Sequence, residues 1–304
     1  MSSIFIFPGQ GSQAVGMGKD LHANNPAARQ VFDEVDDALG QKLSDIIFNG
    51  PMEELTMTAN VQPAIFATSM AMLRVWESLN SQLSNLNSPF VAGHSLGEYT
   101  ALCAAGSLSI TDAAKLLRLR GDAMQRAVPA GQGAMAVVLG LETGQLADVC
   151  RAAESEIGGV CDIANDNAPG QIVISGSEKT IVRAMEKAKD AGAKRAMLLP
   201  LSVPPHSRLM EPVAIEMREA LDKMEMKAPA VPLLSNKTCA PMSDIAEIKD
   251  ALVYQITHGV RWRETVLALP ALGVTETIEV GPGNILTGLT PRIAPELTAK
   301  KLEV

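Results

Sequence analysis

A serine and a histidine in this chain are placed for nucleophilic catalysis. The serine lies in Gly93-His94-Ser95-Leu96-Gly97, between an apolar run, Phe90-Val91-Ala92, and a helix-compatible run at 98–105. That is the strand, sharp turn and helix of a nucleophile elbow, in which small flanking glycines let the serine oxygen project toward a helix N-terminus. A serine hydroxyl becomes a good nucleophile only when a base takes its proton. The chain offers four histidines. His94 adjoins Ser95, where neighbouring side chains diverge, and suits packing or orientation. His22 sits near a helix end among polar residues and reads as a surface residue. His258 follows a helix and suits a C-terminal cap. His206, in Ser202-Val203-Pro204-Pro205-His206-Ser207, comes just after a predicted strand in a short stiff loop, and the residues favour it over His258 as the base.

A second loop, Gly9-Gln10-Gly11-Ser12-Gln13, has backbone N–H groups suited to an oxyanion, paired with the N–H of Leu96. Its plainer reading is a glycine-rich turn between strand and helix. It lacks the G-x-G-x-x-G fingerprint and the Walker lysine, which argues against a nucleotide phosphate site.

The elements that must hold these groups alternate between strand and helix, which predicts a parallel α/β sheet. Residues 4–7 read as a buried strand. Asn25-Pro26 opens a helix with Val31, Val35, Ala38 and Leu39 on one face, and Pro63 at a first-turn position opens another with Phe66, Met70 and Leu73. Thr111 caps a helix running to about 124. The middle of the chain reads strand 134–139, helix 143–155, strand 160–164, strand 172–175, helix 177–191 and strand 196–199. That β-α-β-β-α-β order is the ferredoxin-like unit. The expected architecture is therefore an α/β, hydrolase-like parallel-sheet core at 1–127 and 201–304, with an inserted ferredoxin-like subdomain at 128–200. Beyond it come a helix from about 208, a strand 231–235, a helix ending near 254 and a last strand 277–280. The Lys300-Lys301 tail reads as solvated.

A chain of 304 residues can bury one large core, or one core and a small insert. Its net charge of −8 and 3% aromatic content argue against nucleic-acid or anionic-membrane binding. No apolar run approaches a membrane span or a signal-peptide core. The four cysteines have no C-x-x-C spacing, so neither zinc nor a disulfide framework is indicated, and a reduced cytoplasmic setting is expected. The 15 methionines suit core filling.

Several motifs together resemble one family. Phe7-Pro8-Gly9-Gln10-Gly11-Ser12-Gln13, Gly93-His94-Ser95-Leu96-Gly97-Glu98-Tyr99, Gly133-Ala134-Met135-Ala136, Ser202-Val203-Pro204 before His206, and Glu279-Val280-Gly281-Pro282-Gly283 look like malonyl-CoA:acyl carrier protein transacylases, relatives of the acyltransferase domains of fatty-acid and polyketide synthases. The match runs in the family's order from Phe7 to about Arg292. It implies that Ser95 carries the acyl group and His206 is its base, with oxyanion N–H groups from Gln10 and Leu96. It further implies that Arg120 clamps the malonyl carboxylate and that the Gln255 carbonyl orients the histidine in place of an aspartate. Without the family, Arg120 reads as a solvated helix-end arginine. The chain departs from the pattern at Pro205, which stiffens the loop, and at His258-Gly259.

The implied function is ping-pong transfer of malonyl from malonyl-CoA to the phosphopantetheine thiol of acyl carrier protein, feeding fatty-acid synthesis, with no metal or redox cofactor. The alternatives are a polyketide-pathway acyltransferase, a serine esterase or thioesterase using Asp162 or Asp166 as third triad member, and a non-catalytic carrier-protein or acyl-CoA binding module. Acyl carrier proteins are acidic as a family, so a local basic patch must attract them. Lys194 and Arg195, shortly before His206, are the expected docking residues, with Arg208 and Arg292 as weaker candidates.

Overall fold

The computed structural model describes residues 2–80, 88–129, 131–201 and 203–304; Ser202 of the loop before His206 lies outside them. Strand β1 (Ser3–Phe7) has apolar residues on both faces because both faces are covered. Phe5 and Phe7 join the larger core cluster, while Ile4 and Ile6 join a second cluster beneath the sheet. β1 pairs in parallel with β2 (Val91–Gly93) on one side and β9 (Glu276–Glu279) on the other. β7 (Leu233–Leu234) and β10 (Thr298–Lys301) extend the sheet in parallel, and β8 (Pro241–Met242) closes one edge antiparallel to β7. The order is β10-β9-β1-β2-β7-β8.

A separate, wholly antiparallel sheet is made by β3 (Gly133–Leu139), β4 (Cys161–Ala168), β5 (Gln171–Ser177) and β6 (Arg195–Leu198), in the order β4-β5-β3-β6. Helices Thr143–Ile157 and Glu178–Asp190 pack on one face of it, around Ala136, Val138, Ile172 and Ile174. The other face presents Met135, Val137 and Val173. The protein is thus mixed α/β, with one largely parallel and one antiparallel sheet.

Three local expectations are corrected. The helix expected to open at Pro63 begins at Thr58 and runs to Leu79, with the proline inside it. Proline tolerates the first turn best but does not mark a helix start by itself. The next helix, Ile110–Ala127, is capped by Ser109, whose Oγ accepts from the Asp112 N–H; Thr111 Oγ1 instead donates to Glu34. The tail lysines are not simply solvated: their backbone forms edge strand β10, and Lys300 Nζ lies 2.6 Å from Glu276. Among the described residues no helix is long and apolar enough to cross a membrane.

Candidate active site

β2 ends at Gly93, and the chain reverses into helix Gly97–Ala104 within a few residues. A Cβ on Gly93 would lie 1.9 Å from the Gly97 carbonyl carbon, so the turn closes this tightly only with glycine there. Ser95 takes φ 54°, a left-handed conformation uncommon for serine. Such a residue costs about 1–3 kcal/mol and persists only where its surroundings impose it. Here the Ser95 N–H donates to Asn236 Oδ1 (3.1 Å) while Asn236 Nδ2 donates to the Gly93 carbonyl (2.8 Å). The Ser95 carbonyl accepts from the Glu98 N–H (3.0 Å) and from Gln255 Nε2 (3.2 Å).

His206, buried and also left-handed at φ 59°, places Nε2 2.8 Å from Ser95 Oγ. Its Nδ1 lies 2.6 Å from the Gln255 carbonyl, which can only accept. That contact assigns the proton to Nδ1 and leaves the Nε2 lone pair facing the serine. Burial, and then the nearby Arg120 charge, hold His206 down to about 3, so the ring is a neutral acceptor at neutral pH. Asp162 and Asp166 do not complete a triad. Asp162 pairs with Arg208 at 2.9 Å, and Asp166 binds Arg263 (2.8 Å) and Thr143 (2.9 Å).

Arg120 corrects the reading of a solvated helix end. It lies on the buried stripe Ala113, Leu117, Arg120 and Met124 of its helix and is 2% exposed. Nη2 reaches Ser95 Oγ (3.0 Å) and Gln255 Oε1 (3.1 Å), and Nη1 donates to Gln62 Oε1 (2.6 Å). Its Nε is buried without a partner, and among the described residues no carboxylate forms an ion pair with this guanidinium. A buried cation held by neutral oxygens beside a nucleophile is a ready receptor for an anionic substrate group.

The Gly9–Gln10 turn packs on the elbow: a Cβ on Gly9 would sit 2.7 Å from the His94 carbonyl oxygen. Among the described residues neither the Gln10 N–H nor the Leu96 N–H has an acceptor, and Gln10 Nε2 is buried without a partner. His94 points elsewhere, with Nε2 2.8 Å from Asn167 Oδ1 and its ring against Trp262. His258 is exposed and stacks on Tyr254, away from Ser95. His22 is not a plain surface residue; its ring packs against Phe32 and Phe48.

Lys194 and Arg195 are exposed at one end of the antiparallel sheet. Arg195 pairs opposite Leu139, Leu139 opposite Gln171, and the Gln171 side chain accepts from Arg292. Arg292 therefore shares that basic end, whereas Arg208 is neutralised by Asp162 and Glu154. Sequence reasoning missed Gln62, Asn236 and the role of Glu98. Glu98 is fully buried, its Oε1 accepting from the Asn236 N–H (2.7 Å) and its Oε2 from Gln255 Nε2 (2.5 Å). Burial raises its carboxyl to about 7. A carboxylate in the first turn of a helix whose other residues are apolar or small was the available signal.

A sequence profile described as the acyl transferase domain matches residues 4–291. A malonyl CoA-acyl carrier protein transacylase of Bacillus subtilis is 48% identical over 96% of this chain and 91% of its own length. The chain belongs to the malonyl CoA-acyl carrier protein transacylase family. Its relative in Escherichia coli K12 is 44% identical over 98% of this chain and 94% of its own. Among solved structures, an acyl-carrier-protein-S-malonyltransferase from Bartonella henselae superposes with a TM-score of 0.96 at 52% identity, covering 100% of this transacylase family member and 96% of that chain. A malonyl-transacylase solved in complex with a type II polyketide acyl-carrier protein superposes at 0.95 with 40% identity, over 100% of this chain and 97% of that one.

Proposed function

We propose that this acyltransferase moves malonyl from malonyl-CoA to the phosphopantetheine thiol of acyl carrier protein through a malonyl-Ser95 ester, serving fatty-acid synthesis. Ser95 Oγ attacks the thioester carbonyl as its proton passes to His206 Nε2. The oxyanion is held by the N–H groups of Gln10 and Leu96. As the carbonyl reforms, the C–S bond breaks and the coenzyme A thiolate takes the proton back from His206. The carrier thiol then gives its proton to His206 and attacks the ester carbonyl; the acyl–Oγ bond breaks and Ser95 Oγ takes the proton back from His206. The Gln255 carbonyl keeps the imidazole in one tautomer throughout, in the place a triad gives to aspartate. No metal or redox cofactor enters this scheme.

One observation carries the reading: a buried Arg120, 3.0 Å from the nucleophile, with an open Nε and, among the described residues, no direct ion pair. An esterase for neutral acyl groups has no use for it. Once the malonyl carboxylate pairs with Arg120, the charge that depresses His206 is offset, and the base strengthens only for a carboxylated substrate. Brief mixing with malonyl-CoA followed by mass spectrometry tests the proposal. A persistent malonyl adduct on Ser95 that carrier protein discharges supports it; rapid release of free malonate indicates a hydrolase, and no adduct a binding module.

We further read 128–200 as an inserted ferredoxin-like subdomain and 1–127 with 201–304 as a hydrolase-like core. The β-α-β-β-α-β order of the antiparallel unit and the strand–elbow–helix at Ser95 support this. Carrier docking is assigned to the basic end formed by Lys194 and Arg195 together with Arg292. A cytoplasmic setting fits the four free cysteines.

A further inference from the structure

The geometry points to Glu98 as a positioning residue for acyl selectivity: its carboxylate, with the Ser95 carbonyl, fixes which way the Gln255 carboxamide faces, and through that amide it holds Arg120 ready for the substrate carboxylate. The inference rests on Arg120 being the carboxylate receptor.

Glu98 is 0% exposed, and among the described residues it forms no ion pair. A buried carboxylate without a cation survives only when its oxygens are hydrogen-bonded. Both are, to the Asn236 N–H and to Gln255 Nε2. Ionised, as it becomes above about pH 7, such a group only accepts, so together with the Ser95 carbonyl (3.2 Å) it draws the NH₂ end of the Gln255 amide. The carbonyl end is thereby turned toward Arg120, where Oε1 accepts from Nη2. The reversed amide would set oxygen against carboxylate and NH₂ against guanidinium, two repulsive contacts between buried groups. With Gln62 fixing Nη1, the correctly turned Gln255 completes a two-point hold on the guanidinium that leaves it without a direct ion pair among the described residues.

Glu98 also braces the elbow through Asn236, so a plain loss of activity would not distinguish the two roles. The ratio of kcat/KM for malonyl-CoA to that for acetyl-CoA does, because elbow damage slows both acyl groups while a displaced Arg120 penalises only the carboxylated one. Glu98→Gln, nearly isosteric, cannot satisfy both donors at once. It is expected to lower the ratio at least tenfold, and to change it less than twofold further in a Gln255→Ala background, where the backbone carbonyl facing His206 remains. An equal fall for both substrates, an unchanged ratio, or independent multiplicative effects in the double variant would overturn the inference. Should Glu98→Gln fail to fold, Glu98→Asp, one methylene short of Gln255, is read on the same ratio, with a fall of at least threefold expected and the same results against it. Arg120→Ala is run alongside. If it leaves the ratio intact, the reading of Arg120 itself fails; if it collapses the ratio while the Glu98 variants do not, only the role given to Glu98 fails.

Discussion

Strands β1 and β2 are buried on both faces, whereas the four-stranded antiparallel sheet packs two helices on one face and ends in exposed strand β6. Its other face carries Met135, Ala164 and Val173, with Val137, Leu199 and Leu201 partly exposed. The difference fits the proposed division of work. Ser95, left-handed, is held at the end of the doubly covered strand β2, and His206, left-handed too, is held by the Ile256 and Gln255 carbonyls at the end of helix Ile245–Thr257. Encounter with a partner needs accessible charge, which the antiparallel sheet offers at its exposed end.

Variants should separate the two regions by size of effect. Ser95→Ala, in the rigid region, should abolish the covalent malonyl adduct, read by intact-protein mass spectrometry; an adduct that still accumulates would move the nucleophile elsewhere. His206→Ala should slow loading by about 10²–10⁴-fold, the usual worth of a positioned base. His258→Ala should be nearly silent when loading is followed by stopped flow, and an equal loss there would reopen the choice of base.

Arg120→Ala comes next. Losing a charge-assisted partner costs about 1.5–3 kcal/mol or more, on the order of 10–100-fold in malonyl transfer, with acetyl transfer hurt much less. Equal losses on both substrates would make Arg120 a support of the fold.

The buried titratable groups of the rigid region also set an expected pH dependence of stability. His206 is held down to about 3, and burial lowers His94 as well. The unfolded chain binds those protons below its ordinary histidine value near 6.5, but the folded chain does not. Their contribution is complete above about pH 6.5 and is lost as pH falls, for His206 toward 3. Glu98, raised to about 7, acts in the other sense: it costs nothing below about pH 4.5 and progressively more as pH rises to 7. Stability from these groups should therefore peak near pH 6.5. His206→Gln should flatten the acid limb by one proton, about 1.4 kcal/mol per pH unit, in urea midpoints measured against pH. An unchanged slope would show that His206 is not buried neutral.

The smallest effect is expected on the antiparallel sheet. The double variant Lys194→Glu, Arg195→Glu should raise the apparent KM for acyl carrier protein severalfold and flatten its salt dependence, since such attraction acts over only about 8–10 Å. Loading from malonyl-CoA should stay near normal. Unchanged carrier kinetics at low salt would place docking elsewhere, and slowed loading would break the division of labour between the two sheets.

What the chain alone determined was local. The elbow was legible because its glycines answer a contact inside five residues, and β1 because a strand covered on both faces reads as an unbroken apolar run. The order of elements through the middle followed from turn residues between periodic segments. What tertiary structure decided were the partners of buried polar atoms, which come from distant parts of the chain. Pro63 disguised the first turns of its helix, and with them Gln62, which steers Arg120 from 58 residues away. Arg120 looked like a surface arginine until a second helix and the elbow closed over it. Asp162 stood in the right order for a triad, yet packing gave it to Arg208, and a backbone carbonyl at Gln255, which any residue type carries, took its place. Glu98 and Asn236 meet only because β2 and β7 lie side by side. Sequence periodicity reports which face of an element is buried; which polar atom meets which inside the core depends on how separate elements pack.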